Sequence, residues 1–205
     1  MNLYKLTNKK VLCFASGHVI LSTTKSERES KRMKQNFTSR ATAVNGKAGK
    51  LPAIYKKINL DGLCVLDIGC GAEVDHINKY VTAEGGYWYG IDPFNQTGYY
   101  NMQTLAVWDV ASGVCENNNL VVSSNVLNVL DTEEAVQDAV NSIVEKSALG
   151  AYAVTVYEGN GSGIGKQTGV DQWQRNQKLK EYLKYFPADA IVRKGVITNA
   201  PELIK

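Results

Sequence analysis

The chain has 205 residues, 44% of them hydrophobic and 21% charged, a balance that fits one globular domain with an appendage and excludes a collagen-like, coiled-coil or wholly disordered chain. No run of about 18 apolar residues is present, so no membrane-spanning helix is expected. The net charge of +3 hides an asymmetry: residues 1–57 hold thirteen Lys/Arg against two acids, residues 58–205 ten against eighteen.

Residues 1–50 therefore read as a basic N-terminal arm and 51–205 as the folded domain. Such an arm suits nucleic acid or another polyanion, or is simply a solvated leader. Within it, VLCFASGHVIL at 11–21 is interrupted by Ser16, Gly17 and His18 and lacks an A-x-A site, so it reads as a short strand or hairpin, not a signal peptide. The four cysteines (Cys13, Cys64, Cys70, Cys115) form no CxxC pair. That spacing argues against a disulfide framework or a cysteine zinc site and for a reducing cytoplasm. Two histidines are too few for a multi-histidine metal centre.

From residue 51 the pattern alternates. LPAIYKKI at 51–58 predicts a short helix with Pro near its first turn. LCVLDI at 63–68 is a continuous apolar run of the kind buried in a parallel sheet. A helix over 72–83, a strand at 86–92, a loop at 93–103 and a third strand at 104–108 (TLAVW) follow. NLVVSS at 119–124 is a strand, and 131–149 the clearest helix, with Asp131 as its cap and Glu134 completing a capping box. AYAVTVY at 151–157 is a strand, 159–169 a glycine-rich loop, and 171–185 a helix. DAIVRK and GVITNA close the chain as two strands around Gly195. The alternation predicts an α/β fold: a doubly wound, mostly parallel Rossmann-like sheet, helices on both faces, with an antiparallel C-terminal strand.

The chemistry concentrates in VLDIGCGA at 65–72, a strand running into Asp67 and a turn with Gly69 and Gly71. Glycines there allow a sharp turn and close backbone approach to a ligand. The helix behind them offers N–H groups to a carboxylate or phosphate. Asp92 stands 21 residues after Gly71, at the end of the next strand, where an acid can accept both ribose hydroxyls. Val74 breaks the G-x-G-x-x-G of a dinucleotide site, which disfavours a nicotinamide oxidoreductase. YEGNGSGIGKQTG at 157–169 departs from a P-loop at Asn160 and Gln167. It reads instead as a glycine-hinged lid over an acceptor site, or as a surface loop. Glu158, after the fifth strand, is the candidate base or acceptor orienter, or else a loop carboxylate bonded to nearby N–H groups.

VLDIGCGA with Asp92 resembles motif I and the following acidic position of the class I, Rossmann-like S-adenosylmethionine-dependent methyltransferases, over roughly residues 51–200 in element order. The resemblance implies that Asp67, Gly69 and Gly71 hold the methionyl end, with Cys70 filling the turn, and that Asp92 holds the ribose. It further implies Asp109, after the third strand, as an adenine contact. Ser123, Ser124 and Asn125, in SSNVLNVL at 123–130, would lie beside the transferable methyl, with Asn128 behind and Asn125 in a catalytic role. The tetrapeptide of amino-directed DNA methyltransferases and the Pro-Cys of cytosine C5 enzymes are absent. The order of IDPFNQ, SNVLNV, the glycine loop and W-Q-x-N resembles, more narrowly, methyltransferase-like proteins of bacteriophages and mobile elements. The expected activity is methyl transfer to an unidentified acceptor, nucleic acid somewhat ahead of a small molecule. The alternative is a cofactor-binding interaction or counter-defence protein without transfer.

Overall fold

The computed structural model describes residues 13–15, 18–20, 36–38 and 50–205, apart from residues 73, 116, 117 and 149. The basic character assigned to residues 1–50 therefore lies largely outside the described residues. The chain divides into two compact units, 1–34 and 35–205. In the first, β1 (Cys13–Ala15) pairs antiparallel with β2 (His18–Ile20), the hairpin expected there.

The second unit begins with a short 3-10 helix, Ala53–Lys57, whose Ile54 and Tyr55 are buried. Strand β3 (Cys64–Ile68), helix α1 (Asp75–Ala83), strand β4 (Tyr87–Ile91), helix α2 (Gly98–Cys115), strand β5 (Asn119–Ser124), helix α3 (Glu133–Lys146) and strand β6 (Gly150–Thr155) then alternate. A two-stranded ribbon follows, β7 (Lys166–Gly169) on β8 (Gln172–Gln174). After a 3-10 helix at Leu179–Tyr185 come β9 (Ile191–Arg193) and β10 (Val196–Thr198).

The main sheet runs β4-β3-β5-β6-β10-β9. Strands β4, β3, β5 and β6 are parallel; β10 is antiparallel to both its neighbours. This is the doubly wound α/β architecture that the alternating pattern predicts. The chain passes from β3 outward to β4, then back across to β5 and β6. The reversal of winding falls between β3 and β5, and in such sheets ligands bind in the crevice beyond the strand ends there.

Both faces are buried. On one, Val65, Leu120, Val122, Ala151 and Ala153 join Ile77 and Val81 of α1 and Ile54, Tyr55 and Ile58 in a continuous core. Side chains alternate across a sheet, so Leu66, Val121, Tyr152 and Val154 serve the other face, and all four are buried. Lys194 (φ 47°) and Gly195 (φ 76°) link β9 to β10 as a two-residue hairpin turn, whose twist requires positive φ at both positions.

Four expectations are corrected. TLAVW is not a third strand; it lies inside α2. Short apolar runs do not separate strand from helix. The inward set is Asn101, Thr104, Leu105, Trp108 and Ser112, at helical spacing, and Trp108 meets the Tyr89 ring edge-on at 5.9 Å. The helix expected over 171–185 is replaced by β8 and a 3-10 helix, because Asn176 at φ 54° cannot continue a right-handed helix. The cap of α3 is Thr132, whose Oγ1 accepts from Ala135 N at 3.1 Å. Asp131 is engaged elsewhere, by Asn36 N and, at 2.6 Å, Asn36 Nδ2. Finally, Cys64 is disulfide-bonded, while Cys70 is free and buried. Pairing depends on proximity in the fold, which linear spacing does not report. Among the described residues, no helix is long and apolar enough to cross a membrane.

Candidate functional site

Strand β3 delivers Asp67 to the carboxyl edge of the sheet with its side chain on the α1 face, in line with Val65. The side chain is 2% exposed. Its Oδ2 accepts a hydrogen bond from Tyr55 Oη at 2.5 Å, and Tyr55 Oη accepts one from Trp88 Nε1 at 3.0 Å. Its Oδ1 is buried without a hydrogen-bond partner. Burial raises the Asp67 pKa to about 7, the Tyr55 hydrogen bond opposes that rise, and the Asp92 charge adds to it. Burial also pushes the Tyr55 hydroxyl and the Cys70 thiol upward. A buried carboxylate oxygen left unpaired is costly in a folded protein.

The turn that follows can only be glycine. Gly69 (φ 83°) and Gly71 (φ 82°) are left-handed, and a β-carbon at Gly69 would overlap a Val126 methyl. Three N–H groups of the turn are already bonded: Gly69 N and Cys70 N to Ile91 O (2.8 and 3.1 Å), Gly71 N to Asp92 Oδ2 (3.0 Å). They tie β3 to β4, and Asp67 Oδ1 is the unspent group.

Asp92 is 6% exposed and heavily used. Oδ1 accepts from Phe94 N (2.9 Å) and Asn95 N (2.8 Å); Oδ2 accepts from Gly71 N and, at 3.3 Å, Asn95 Nδ2. The bond from Asn95 Nδ2 is the longest of the four and comes from a side chain, so it is the one a ribose hydroxyl could replace without moving backbone. Gln96 Nε2 donates to Gly71 O at 2.7 Å, closing the same loop onto the glycine turn.

Across the switch point, Ser123 Oγ donates to Ile68 O at 3.1 Å and Ser124 Oγ lies 3.2 Å from Thr155 Oγ1. Asn125 follows at φ 60°, its N–H bonded to Thr155 O. These three stand at the end of β5, next to β3, and share the strand-end edge with Asp67, the glycine turn and Asp92. Asp109 does not. It sits eleven residues into α2, paired with Lys146 at 3.6 Å near the end of α3, where the chain turns toward the opposite edge of the sheet.

Glu158 is exposed, and its Oε1 accepts from Leu179 N at 2.7 Å, holding the first turn of the 3-10 helix there. The glycine loop closes on Asn176: Gly163 N donates to Asn176 O (2.8 Å) and Asn176 Nδ2 to Ile164 O (2.9 Å). Asn128 Nδ2 donates to Gln174 Oε1 (3.2 Å), and Gln174 Nε2 to Tyr157 O (2.9 Å), joining the segment after β5 to this loop. Phe37 stacks on Trp173 at 5.5 Å, and Thr38 Oγ1 and N donate to Asp171.

Sequence reasoning missed Tyr55 and Trp88. Their burial was legible from LPAIYKKI and GYWYGID, but nothing in either segment shows that their polar atoms converge on residue 67.

The strand-end edge thus brings together an unpaired buried carboxylate oxygen on Asp67, the left-handed Gly69–Gly71 turn and a second carboxylate, Asp92, one strand over. No family model matches the sequence, and no curated protein matches it. Among solved structures, the Burkholderia thailandensis 1,6-didemethyltoxoflavin-N1-methyltransferase, crystallised with 1,6-didemethyltoxoflavin and S-adenosylhomocysteine, is similar at TM-score 0.41 and 12% identity, over 97% of this chain and 98% of that one.

Proposed function

We propose that the chain is an S-adenosylmethionine-dependent methyltransferase. The observation that carries the reading is Asp67 Oδ1, buried and unpaired at the head of the Gly69–Gly71 turn, at the point where the sheet's winding reverses. In this reading Asp67 receives the ligand's ammonium, Asp92 exchanges its Asn95 Nδ2 contact for a ribose hydroxyl, and the Gly69–Gly71 backbone lies against the ligand. Asn125, left-handed at the end of β5, orients the acceptor across the crevice with Ser124 beside it. When bound, S-adenosylmethionine supplies a methyl on a sulfonium, an already activated leaving group. The protein's task is then alignment, which alone is worth effective molarities of about 10⁵–10⁸ M.

A second reading, cofactor binding without transfer, is favoured by one observation: Glu158 is engaged in holding the 3-10 helix at Leu179–Tyr185. The acceptor class rests on the basic segment alone, and a polyanionic acceptor such as nucleic acid is the proposal that follows from it. Incubation with tritiated S-adenosylmethionine and separate DNA, RNA, protein and small-molecule fractions tests the main reading. Label in one fraction, lost in Asp67→Asn, supports it. Calorimetric binding of S-adenosylhomocysteine with no label transferred to any fraction would favour the second.

A further inference from the structure

We infer that Tyr55, braced by Trp88, is a positioning residue that locks one oxygen of Asp67 and so presents the other, ionised, to a cationic ligand group. The inference rests on the cofactor reading above for the ligand's identity, but its geometry stands apart from it.

Tyr55 lies outside the glycine motif, on the short 3-10 helix before β3, and is wholly buried in the core between that helix and the sheet. Its hydroxyl has one proton and gives it to Asp67 Oδ2 at 2.5 Å. Trp88 Nε1–H, arriving from β4, occupies the hydroxyl's acceptor side at 3.0 Å, so the hydroxyl cannot turn its proton toward the indole nitrogen. The chain of donors thus runs one way, Trp88 to Tyr55 to Asp67. It fixes which carboxylate oxygen is spent inside the protein, and Oδ1 is the one left.

The surroundings give this lock its consequence. The core that Asp67 adjoins is apolar: Val65 on its own strand, Ile77 and Val81 on α1, Ile54 and Ile58 beside Tyr55. Of the titratable groups near it, the Cys70 thiol is buried and held neutral, and Asp92 contributes a like charge. Among the described residues no cation acts on Asp67. Burial and Asp92 both favour the protonated acid; Tyr55 is the group that favours the carboxylate. Loss of the Tyr55 hydroxyl should leave Asp67 protonated over more of the neutral range, where it would present a neutral acid to an ammonium.

The test uses the full chain, wild type, Tyr55→Phe and Trp88→Phe. The ligand-free titration of the Asp67 carboxyl is followed by ¹³C NMR, assigned with Asp67→Asn. S-adenosylhomocysteine affinity is measured from pH 5.5 to 8.5, with proton release taken from calorimetry in buffers of different ionisation enthalpy. In the wild type, affinity should fall up to about tenfold per pH unit below the Asp67 midpoint, with a proton released on binding. In Tyr55→Phe the midpoint should move to higher pH by about one pH unit, so affinity at pH 6.5 falls about tenfold and recovers to within about threefold at pH 8.5. Trp88→Phe should move it the same way by less; it also keeps the question answerable if Tyr55→Phe fails to fold. A uniform loss of affinity at every pH, with the midpoint unmoved, would overturn the inference and leave Tyr55 a packing residue. The ligand-free midpoint judges the inference; absence of S-adenosylhomocysteine binding by the wild type would instead overturn the cofactor reading.

Discussion

The two polar clusters on the strand-end edge are spent differently. On the loop side, Asn128, Gln174 and Asn176 are nearly enclosed: the Asn128 and Gln174 amides bond to each other and to the backbone of Tyr157, and Asn176 donates from its amide to Ile164 O and accepts from Gly163 N at its backbone carbonyl. On the motif side, Asp92 is equally committed, holding three backbone N–H groups and an amide, yet Asp67, one strand away, keeps a buried oxygen unpaired. Buried amides that complete each other make scaffold; a buried carboxylate kept half-satisfied lowers stability and is retained where a ligand completes it. The loop after β6 is thus tied into the architecture, while the turn after β3 adjoins a group the protein leaves unpaired.

The largest expected effect is on the committed acid. Asp92→Ala leaves the N–H groups of Gly71, Phe94 and Asn95 without their acceptor and should lower stability by about 3 kcal/mol or more in chemical denaturation. A loss below about 1 kcal/mol would show that Asp92 is not the brace described. Gly159→Ala comes next. Position 159 is at φ 59° and an added β-carbon would overlap Asn176 Oδ1, so the cost should be about 2 kcal/mol. S-adenosylhomocysteine affinity should stay within about threefold of wild type; a large affinity loss would move the loop to the binding side of the comparison.

Asp67 sharpens it through pH. Its carboxyl titrates at about 7 in the folded chain against an ordinary 3.8. The folded state therefore holds the proton longer than the unfolded state, and this group's contribution weakens stability as pH rises from about 4 to about 7. Asp67→Asn should flatten that dependence and make the ligand-free protein more stable at pH 8 by on the order of 2 kcal/mol, below the ceiling of about 4 kcal/mol implied by the two values. An unchanged difference between stability at pH 5 and pH 8 would contradict the assignment. The smallest effect belongs to Asp109→Ala: a pair of the exposed Asp109 with the half-buried Lys146 at 3.6 Å should be worth under about 0.5 kcal/mol, with ligand affinity unchanged.

Much of this was legible before the structure. The run Leu63–Ile68 reads as a buried parallel strand because both its faces are apolar, and NLVVSS matches β5 residue for residue. Asp67, Gly69, Gly71, Asp92, Ser123, Ser124 and Asn125 fall on one edge because each lies at or just past the carboxyl end of a parallel strand. What sequence could not show was set by contacts distant along the chain. TLAVW became helix with Thr104, Leu105 and Trp108 turned inward at helical spacing and Trp108 packed on Tyr89. Asn176 broke the expected helix by folding back over the glycine loop. Asp131 lost the cap of α3 to Thr132 because Asn36 holds its carboxylate. Tyr55 meets Asp67 across twelve residues and two elements, a meeting no local pattern encodes.

A crystal structure of the full chain with S-adenosylhomocysteine tests the central claim most directly. The account predicts the ligand's amino nitrogen within hydrogen-bond distance of Asp67 Oδ1, with Tyr55 Oη still on Oδ2 and a ribose hydroxyl in place of Asn95 Nδ2 at Asp92. A ligand bound elsewhere, with Asp67 Oδ1 still buried and unpaired, would contradict it.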